Sequence, residues 1–342
     1  MQKINMKKLG NLVEDSWIEG IGKGNTLYNA ISGAPIASAS TEGIDIGSIY
    51  EFARSTGGYA LRRMTFQERG IMLKKLALYL HNIKDKFYEV SAATGATKTD
   101  SWIDIEGGIG NLFANASLRR KLPDTCFAVD GEFIPLSKEG SFGGHHILVP
   151  KEGVAVHINA YNFPIWGMLE KIAVNLLAGV PAIVKPATVT SFLTEYMVRE
   201  IHSSGILPKG SVQLVCGSAR DLLDFVDERD VVTFTGSAST GQALKVHPRI
   251  IENSVPFNLE ADSLNAAVLG PDAGPGTPEF DLFVKEIRNE MTIKCGQKCT
   301  AVRRIMVPKQ HIDAFQDSLI TQLSKVVIGD PATKGVRMGS LV

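Results

Sequence analysis

Two cysteines stand four residues apart in the stretch IKCGQKCT, at Cys295 and Cys299. Read from residue types alone, the pair could be a metal clip, a disulfide, two buried apolar groups, or a site in which one thiol is a nucleophile. Zinc sites need about four ligands, usually in pairs. This chain has neither a second cysteine pair nor a histidine cluster beside the first, so no metal is expected. Three further positions could carry chemistry. Asn162, in INAYNFPIW, follows an apolar run. Its side-chain amide could donate to a developing oxyanion, or simply satisfy its own turn. Lys185, in AIVKPAT, and Glu260, in PFNLEADSLN, each close a short apolar run. A lysine there is costly unless its head reaches a ligand, a partner or water. A carboxylate there could serve as a general base. The plain alternative for both is an exposed charge at a strand end. Gly236 and Ser237, in VVTFTGSASTG, stand between a run of strand character and a helical one. Such a turn offers free N–H groups and a helix dipole to a phosphate, or is an ordinary connection.

These residues need elements to hold them. Residues from about 60 to 118 read as helical, with Ile71, Leu73, Leu76, Leu80 and Ile83 at helical spacing. SWIDIEGGIGNLFANASLRRKL reads as a second helix interrupted by glycines. No strand precedes its Gly-Gly-Ile-Gly, so those glycines are assigned to helix packing rather than to a phosphate loop. FAVDGEFIPL and HHILVP read as a hairpin, with DG and FGG as turn residues. From residue 153 the chain alternates: VAVHIN, PAIVKP, SVQLVCG and VVTFTG are predicted strands, and MLEKIAVNLLAG, TSFLTEYMVREIHSSG and ARDLLDFVDE predicted helices. This alternation predicts an α/β fold with a doubly wound parallel sheet, whose ligands sit beyond the carboxyl ends of the strands. NAAVLG, a helix near 279–293, RRIMVP and a helix over about 309–325 begin a second alternation.

Composition excludes other classes. The 342 residues carry 36 Lys+Arg against 36 Asp+Glu, for a net charge of zero. That leaves no basic footprint for nucleic acid and no polybasic membrane anchor. No apolar run approaches the roughly 18 residues of a spanning helix. Four scattered cysteines in a long chain make no disulfide framework, and a reducing cytoplasm is the expected location.

NAYNFP, VKPAT, FTGSASTG, LEADSLN and GQKC, in that order, resemble the aldehyde dehydrogenase superfamily over nearly the whole chain. Within it, TGATKTDSWIDIEGGIGNLF, IPLSKEG and EADSLNAAVLG resemble the dehydrogenase half of the bifunctional phenylacetate ring-opening enzymes. The semialdehyde dehydrogenases of benzoyl-CoA degradation are a close competitor. The resemblance implies NAD(P)-dependent oxidation of a CoA-linked aldehyde to its acid through a thioacyl intermediate. Cys299 would be the nucleophile, Asn162 an oxyanion donor and Glu260 the base for water. Ile158, Asn159, Ala160, Lys185, Thr188, Gly236 and Ser237 would bind the cofactor. NAD-specific relatives often carry a glutamate at the position of Thr188, so NADP is expected to be accepted and preferred, with NAD the alternative.

The resemblance also implies an organisation. Residues 1–123 are the N-terminal part of the cofactor-binding domain and 124–152 a β-hairpin oligomerisation protrusion. Residues 153–262 are the Rossmann-like cofactor-binding domain and 263–342 an incomplete catalytic domain. The expectation is a C-terminally truncated chain in which NAAVLG and RRIMVP lack sheet neighbours and dehydrogenase activity is weak. A homo-oligomer and a C-terminal hydratase-like domain are expected of the full-length form. The rivals are a CoA-acylating aldehyde dehydrogenase, for which a water-activating Glu260 would be superfluous, and a binding fragment without turnover.

Overall fold

The computed structural model describes residues 7–218 and 221–342. Its centre is a seven-stranded sheet in the order Phe257–Ala261, Val231–Gly236, Ala155–Ile158, Ala182–Lys185, Val212–Leu214, Gly10–Val13 and Ser16–Glu19. The first five strands run parallel, and the two N-terminal ones add antiparallel at the edge. Within those five, the Ala155 strand is first in sequence. The chain builds outward from it in one direction and then in the other. This places the topological switch point between the Ala155 and Val231 strands, where open α/β sheets bind ligands.

Alternation along the strands explains why both faces are covered. Ala182 and Val184 point into a core shared with the helices Phe66–Asn82, Lys98–Leu118, Trp166–Ala178 and Ser191–Ser203. Val154, Val156, Ile183 and Val232 point into a second core that includes Ile46, Ile49 and Ile250. Buried on both faces, the strands read as continuous apolar runs. Register does the rest. Thr235 lies level with Glu260, and Phe234, Ile158 and Lys185 form one row across three strands. Glu260, Thr235, Ile158 and Lys185 therefore all stand at one end of the sheet, the carboxyl end.

Several expectations change. The helix Lys98–Leu118 is uninterrupted. Its glycines are contact points: a Cβ at Gly107 would fall 2.3 Å from the Trp166 ring, so the close helix approach requires glycine there. In the helix Phe66–Asn82 the buried stripe is Met72, Leu73, Leu76, Ala77 and Leu80, whereas Ile71 is 45% exposed. The expected helix ARDLLDFVDE is reduced to a single 3₁₀ turn, Leu222–Phe225, and Ala219 and Arg220 lie outside the described residues. Asp130-Gly131 is not the hairpin turn. The strands Ala128–Pro135 and Gly143–Leu148 continue past it through a register shift, with Gly131 at φ +75°, and the chain reverses over 136–142. The hairpin exposes Val129, Phe133, Ile134 and Leu148.

NAAVLG and RRIMVP do find a sheet neighbour, namely each other. Ala266–Val268 and Arg304–Met306 pair in parallel. A third, smaller core of Leu269, Phe280, Val284, Ile287 and Phe315 packs beside them. No helix among the described residues is long and apolar enough to cross a membrane.

One buried group makes this fold sensitive to pH. His157, 3% exposed, is held in the central strand between Thr233 Oγ1 and Asn175 Oδ1, each at 2.8 Å. Burial pushes its pKa down to about 4 from 6.5. The folded ring stays neutral where the unfolded one takes a proton, so stability is lost as pH falls from 6.5 towards 4. A shift of this size corresponds to about 3 kcal/mol. Denaturant unfolding of the parent chain should show that extra loss relative to His157→Gln across this window. Equal pH slopes for the two proteins would contradict it.

Candidate active site

The site is assembled by one helix and completed by the sheet. The helix Lys98–Leu118 carries Asp100 and Asp104 one turn apart on its buried face, with 2% and 1% exposure. Asp100 closes a capping box with Thr97 through one carboxylate oxygen, and through the other accepts the Lys294 N–H at 2.8 Å. Asp104 accepts the N–H groups of Ile165 (3.2 Å) and Trp166 (2.8 Å). It thereby caps the helix Trp166–Ala178, whose own N-cap residue supplies no side-chain bond. Burial raises the Asp104 pKa to about 6, opposed first by the charge of Lys294 and then by the two N–H donors.

Each aspartate thus holds one loop. The first loop contains Asn162, which precedes the capped helix. The second contains the two cysteines. In it Lys294, Cys295 and Gly296 all have positive φ (51°, 54° and 71°), a left-handed run that costs non-glycine residues about 1–3 kcal/mol each. Further contacts hold this path. Asn162 Nδ2 donates to the Gln297 carbonyl at 3.0 Å, and Arg303 donates to the Gly296 carbonyl at 2.9 Å. The Lys294 ammonium lies 4.8 Å over the Phe163 ring. Asn265 Nδ2 donates to the Cys299 carbonyl at 2.6 Å, and Ser263 donates to the same oxygen. Lys298, 9% exposed, is paired with Glu290 at 2.8 Å.

Cys299, Glu260 and Asn162 meet in one cavity of about 380 Å³, with Ile103, Ala160, Phe163, Trp166, Lys171, Thr235 and Ile293 among its walls. Cys299 is exposed to this space. Among the described residues its backbone N–H makes no hydrogen bond, and Asn162, which lines the same cavity, keeps one amide N–H beyond that given to the Gln297 carbonyl. The Glu260 carboxylate accepts from Thr235 Oγ1 at 3.4 Å. Cys295 does not line this cavity. It lies in a separate cleft, where its thiol donates to the Ser340 carbonyl at 3.5 Å and burial raises its pKa.

Lys171 was not anticipated from the sequence. It projects from the helix Trp166–Ala178, donating to Asn159 Oδ1 at 3.0 Å and Thr235 Oγ1 at 2.9 Å. Burial lowers its pKa, while Glu170 and Glu260 act in the opposite direction. A Glu-Lys pair between Leu169 and Ile172 in a largely apolar helix was the available signal. Asp100 and Asp104 were also missed; two acids at i,i+4 on the helix's apolar face could have marked them.

The strand-end residues form a second region. Ile158 pairs in register with Lys185, and the Asn159 N–H donates to the Lys185 carbonyl at 2.9 Å. Asn159 is 5% exposed, and its Nδ2 has no partner among the described residues. Among the described residues the Lys185 ammonium reaches only the Pro186 carbonyl at 2.9 Å, and burial lowers its pKa against the nearby Cys216. Thr188 Oγ1 donates to the Gly217 carbonyl at 3.4 Å. Gly236 ends its strand, and Ser237 caps the helix Ala238–Lys245. An orphaned amide, a spare ammonium and a helix N-terminus at the switch point fit a phosphate-bearing cofactor. One local feature competes. Asp262, at φ 46°, accepts the Ala238 N–H at 3.2 Å and must turn aside for a phosphate to reach that terminus.

Comparison with known proteins agrees with this architecture. Residues 17–342 match the aldehyde dehydrogenase family. A 3,4-dehydroadipyl-CoA semialdehyde dehydrogenase of Aromatoleum evansii is 46% identical over 98% of this chain and 65% of its own length. A D-glyceraldehyde dehydrogenase (NADP(+)) of Picrophilus torridus is 26% identical over 82% of this chain and 54% of its own. The chain therefore spans between about half and two-thirds of these relatives. A betaine aldehyde dehydrogenase of Staphylococcus aureus, solved in complex with NAD+, superposes with a TM-score of 0.82 at 22% identity, covering 97% of this chain and 64% of that one. With the family match spanning nearly all of the residues that build the sheet and the cavity, the chain belongs to the aldehyde dehydrogenase family.

Proposed function

We propose that this protein oxidises an aldehyde carried on a CoA thioester to the carboxylic acid, with NADP or NAD as hydride acceptor. The observation that carries this reading is the convergence of Cys299, Asn162 and Glu260 on one cavity beside the carboxyl end of the sheet. The 46% identity to a CoA-semialdehyde dehydrogenase supports a CoA-linked substrate. A role in phenylacetate catabolism rests on the motif resemblance alone.

In this mechanism the Cys299 thiolate adds to the aldehyde carbon, forming a C–S bond and an oxyanion. The Cys299 N–H and the Asn162 amide stabilise that oxygen where charge develops. The hydride on this carbon would leave to a nicotinamide backed by Ile158, Asn159 and Ala160, so that a thioester remains on Cys299. Glu260 takes a proton from water. The hydroxide adds to the thioester, the C–S bond breaks, and acid and thiolate are released. Lys171, bonded to Thr235 and electrostatically coupled to Glu260, holds positive charge beside that carboxylate. A CoA-acylating route would need no base for water, and the Glu260 carboxylate in the cavity favours hydrolysis. On the cofactor side, Ile158, Asn159 and Ala160 would back the nicotinamide end. Lys185, Thr188, Gly236 and Ser237 would face the adenosine and phosphates.

In the protein carrying this chain, Cys299→Ala should abolish aldehyde oxidation, whereas Cys295→Ala should retain most of it. Glu260→Gln should keep the burst of cofactor reduction but slow the phase that follows by about a hundredfold or more. A dead Cys295→Ala, or a burst slowed equally in Glu260→Gln, would remove these assignments.

Cofactor choice follows from Thr188. A carboxylate there would repel a 2′-phosphate, whereas a hydroxyl does not, and Lys185 supplies positive charge nearby. NADP should therefore give the higher kcat/KM, and a strong preference for NAD would refute this assignment.

A further inference from the structure

We infer that a cationic groove beside the mouth of the Cys299 cavity holds the nucleotide end of the CoA-linked substrate, an inference that rests on the dehydrogenase reading above. The groove has a volume of about 630 Å³. It lies between the first turn of the helix Lys98–Leu118, the helices Pro278–Thr292 and Ile312–Leu323, and the segment 331–337. Five cations line it: Lys98, Arg288, Lys325, Lys334 and Arg337. None of them forms an ion pair among the described residues. Arg288, half-buried, reaches only the neutral amide oxygens of Asn289 (2.8 Å) and Gln322 (3.3 Å).

Among the described residues the only carboxylate on the groove walls is Asp100, and its oxygens are already taken by Thr97 and the Lys294 N–H. Asp281 and Asp317 lie with Arg288 along a neighbouring depression instead. A concave surface with this unpaired positive charge matches a polyanion of several phosphate oxygens.

Its position selects which polyanion. Ile293 lines both the groove and the Cys299 cavity, so the two are adjacent. The groove is also framed by packed chain. The segment 331–337 is bracketed by the bridge between Ile328 and Met338, and Gly339 packs so closely on Gly95 that a Cβ would fall 1.8 Å from the Gly95 carbonyl oxygen. The coenzyme of a CoA thioester carries about four negative charges on its pyrophosphate and 3′-phosphate. It joins these to the acyl group through a long, thin, uncharged pantetheine arm. Phosphates in the groove would let that arm pass Ile293 and deliver the terminal aldehyde to Cys299. The nicotinamide cofactor is placed elsewhere, along the strand ends at Lys185 and Ser237.

Titration of the protein carrying this chain with desulfo-CoA, under saturating NADP+, tests the groove directly. A saturable complex that weakens with salt is expected, and Arg288→Glu/Lys334→Glu should weaken it about tenfold or more while NADP+ binding stays within about twofold. No desulfo-CoA binding to the parent, or equal affinity in the double variant, overturns the proposal. The link to Cys299 is read with 6-iodohexanoyl-CoA. The sulfur displaces iodide, so one C–S bond forms as the C–I bond breaks. The parent should be labelled at Cys299 about tenfold faster than by the N-acetylcysteamine thioester of the same acid. The double variant should lose that advantage and still react with iodoacetamide at the parent's rate. Equal labelling by the two thioesters in the parent would also overturn the groove as a substrate site. A Cys299 inert even to iodoacetamide would sink the dehydrogenase reading instead, while the desulfo-CoA titration would still judge the groove.

Discussion

Two carboxylates one helical turn apart decide where the reactive loops lie. Asp100 and Asp104 are almost fully buried, a costly position for an acid unless its oxygens are satisfied. Both are satisfied by backbone N–H groups from distant parts of the chain, Asp100 by Lys294 and Asp104 by Ile165 and Trp166. Their burial therefore depends on the Asn162 loop and the cysteine loop coming to the same helix face. Once there, the loops touch through the bond from Asn162 to the Gln297 carbonyl. The left-handed run at Lys294–Gly296 carries the chain from the helix Pro278–Thr292 into the cavity wall, and the Asp100 bond to its first residue offsets part of that strain.

The parallel sheet supplies the other half by register alone. Because Thr235 and Glu260 are level, the Thr235 hydroxyl lies 3.4 Å from the Glu260 carboxylate at the rim of the cavity. Lys171 links this rim to the strand-end region, bonding both Thr235 and Asn159. The groove around Arg288 shares Ile293 with this cavity. Cys299, Glu260, the strand-end region and the cationic groove are thus arranged around a single cavity, and the helix Lys98–Leu118 touches both the cavity and the groove.

What the sequence made legible follows from how local each signal is. Strand ends are local, so Asn162, Lys185, Glu260 and Gly236 could be placed at the carboxyl side of the sheet from apolar runs alone. The choice of Cys299 over Cys295 was not local and came from the motif resemblance; the structure places them in different cavities. The roles of Asp100 and Asp104 stayed hidden because, apart from the local capping box of Asp100 with Thr97, their partners are backbone N–H groups tens of residues or more away. Ile71 was misplaced because an amphipathic stripe fixes a helix face only to within one residue when an apolar residue stands on each side. Asp130-Gly131 looked like a turn because a bulge uses the same left-handed glycine that a tight turn does. The helix expected over ARDLLDFVDE contracted to one 3₁₀ turn, where Tyr50 instead donates to the Leu222 carbonyl at 2.8 Å and tertiary contact overrides propensity.

The central claim is that Asp100 and Asp104 each hold one of the two loops in place. Hydrogen exchange read by mass spectrometry on folded Asp100→Ala and Asp104→Ala chains tests it most directly. Asp100→Ala should lose protection over 293–299 while 163–170 stays near the parent, and Asp104→Ala should show the converse. Unchanged protection in both loops, or a uniform loss across the whole sheet in either variant, would contradict it.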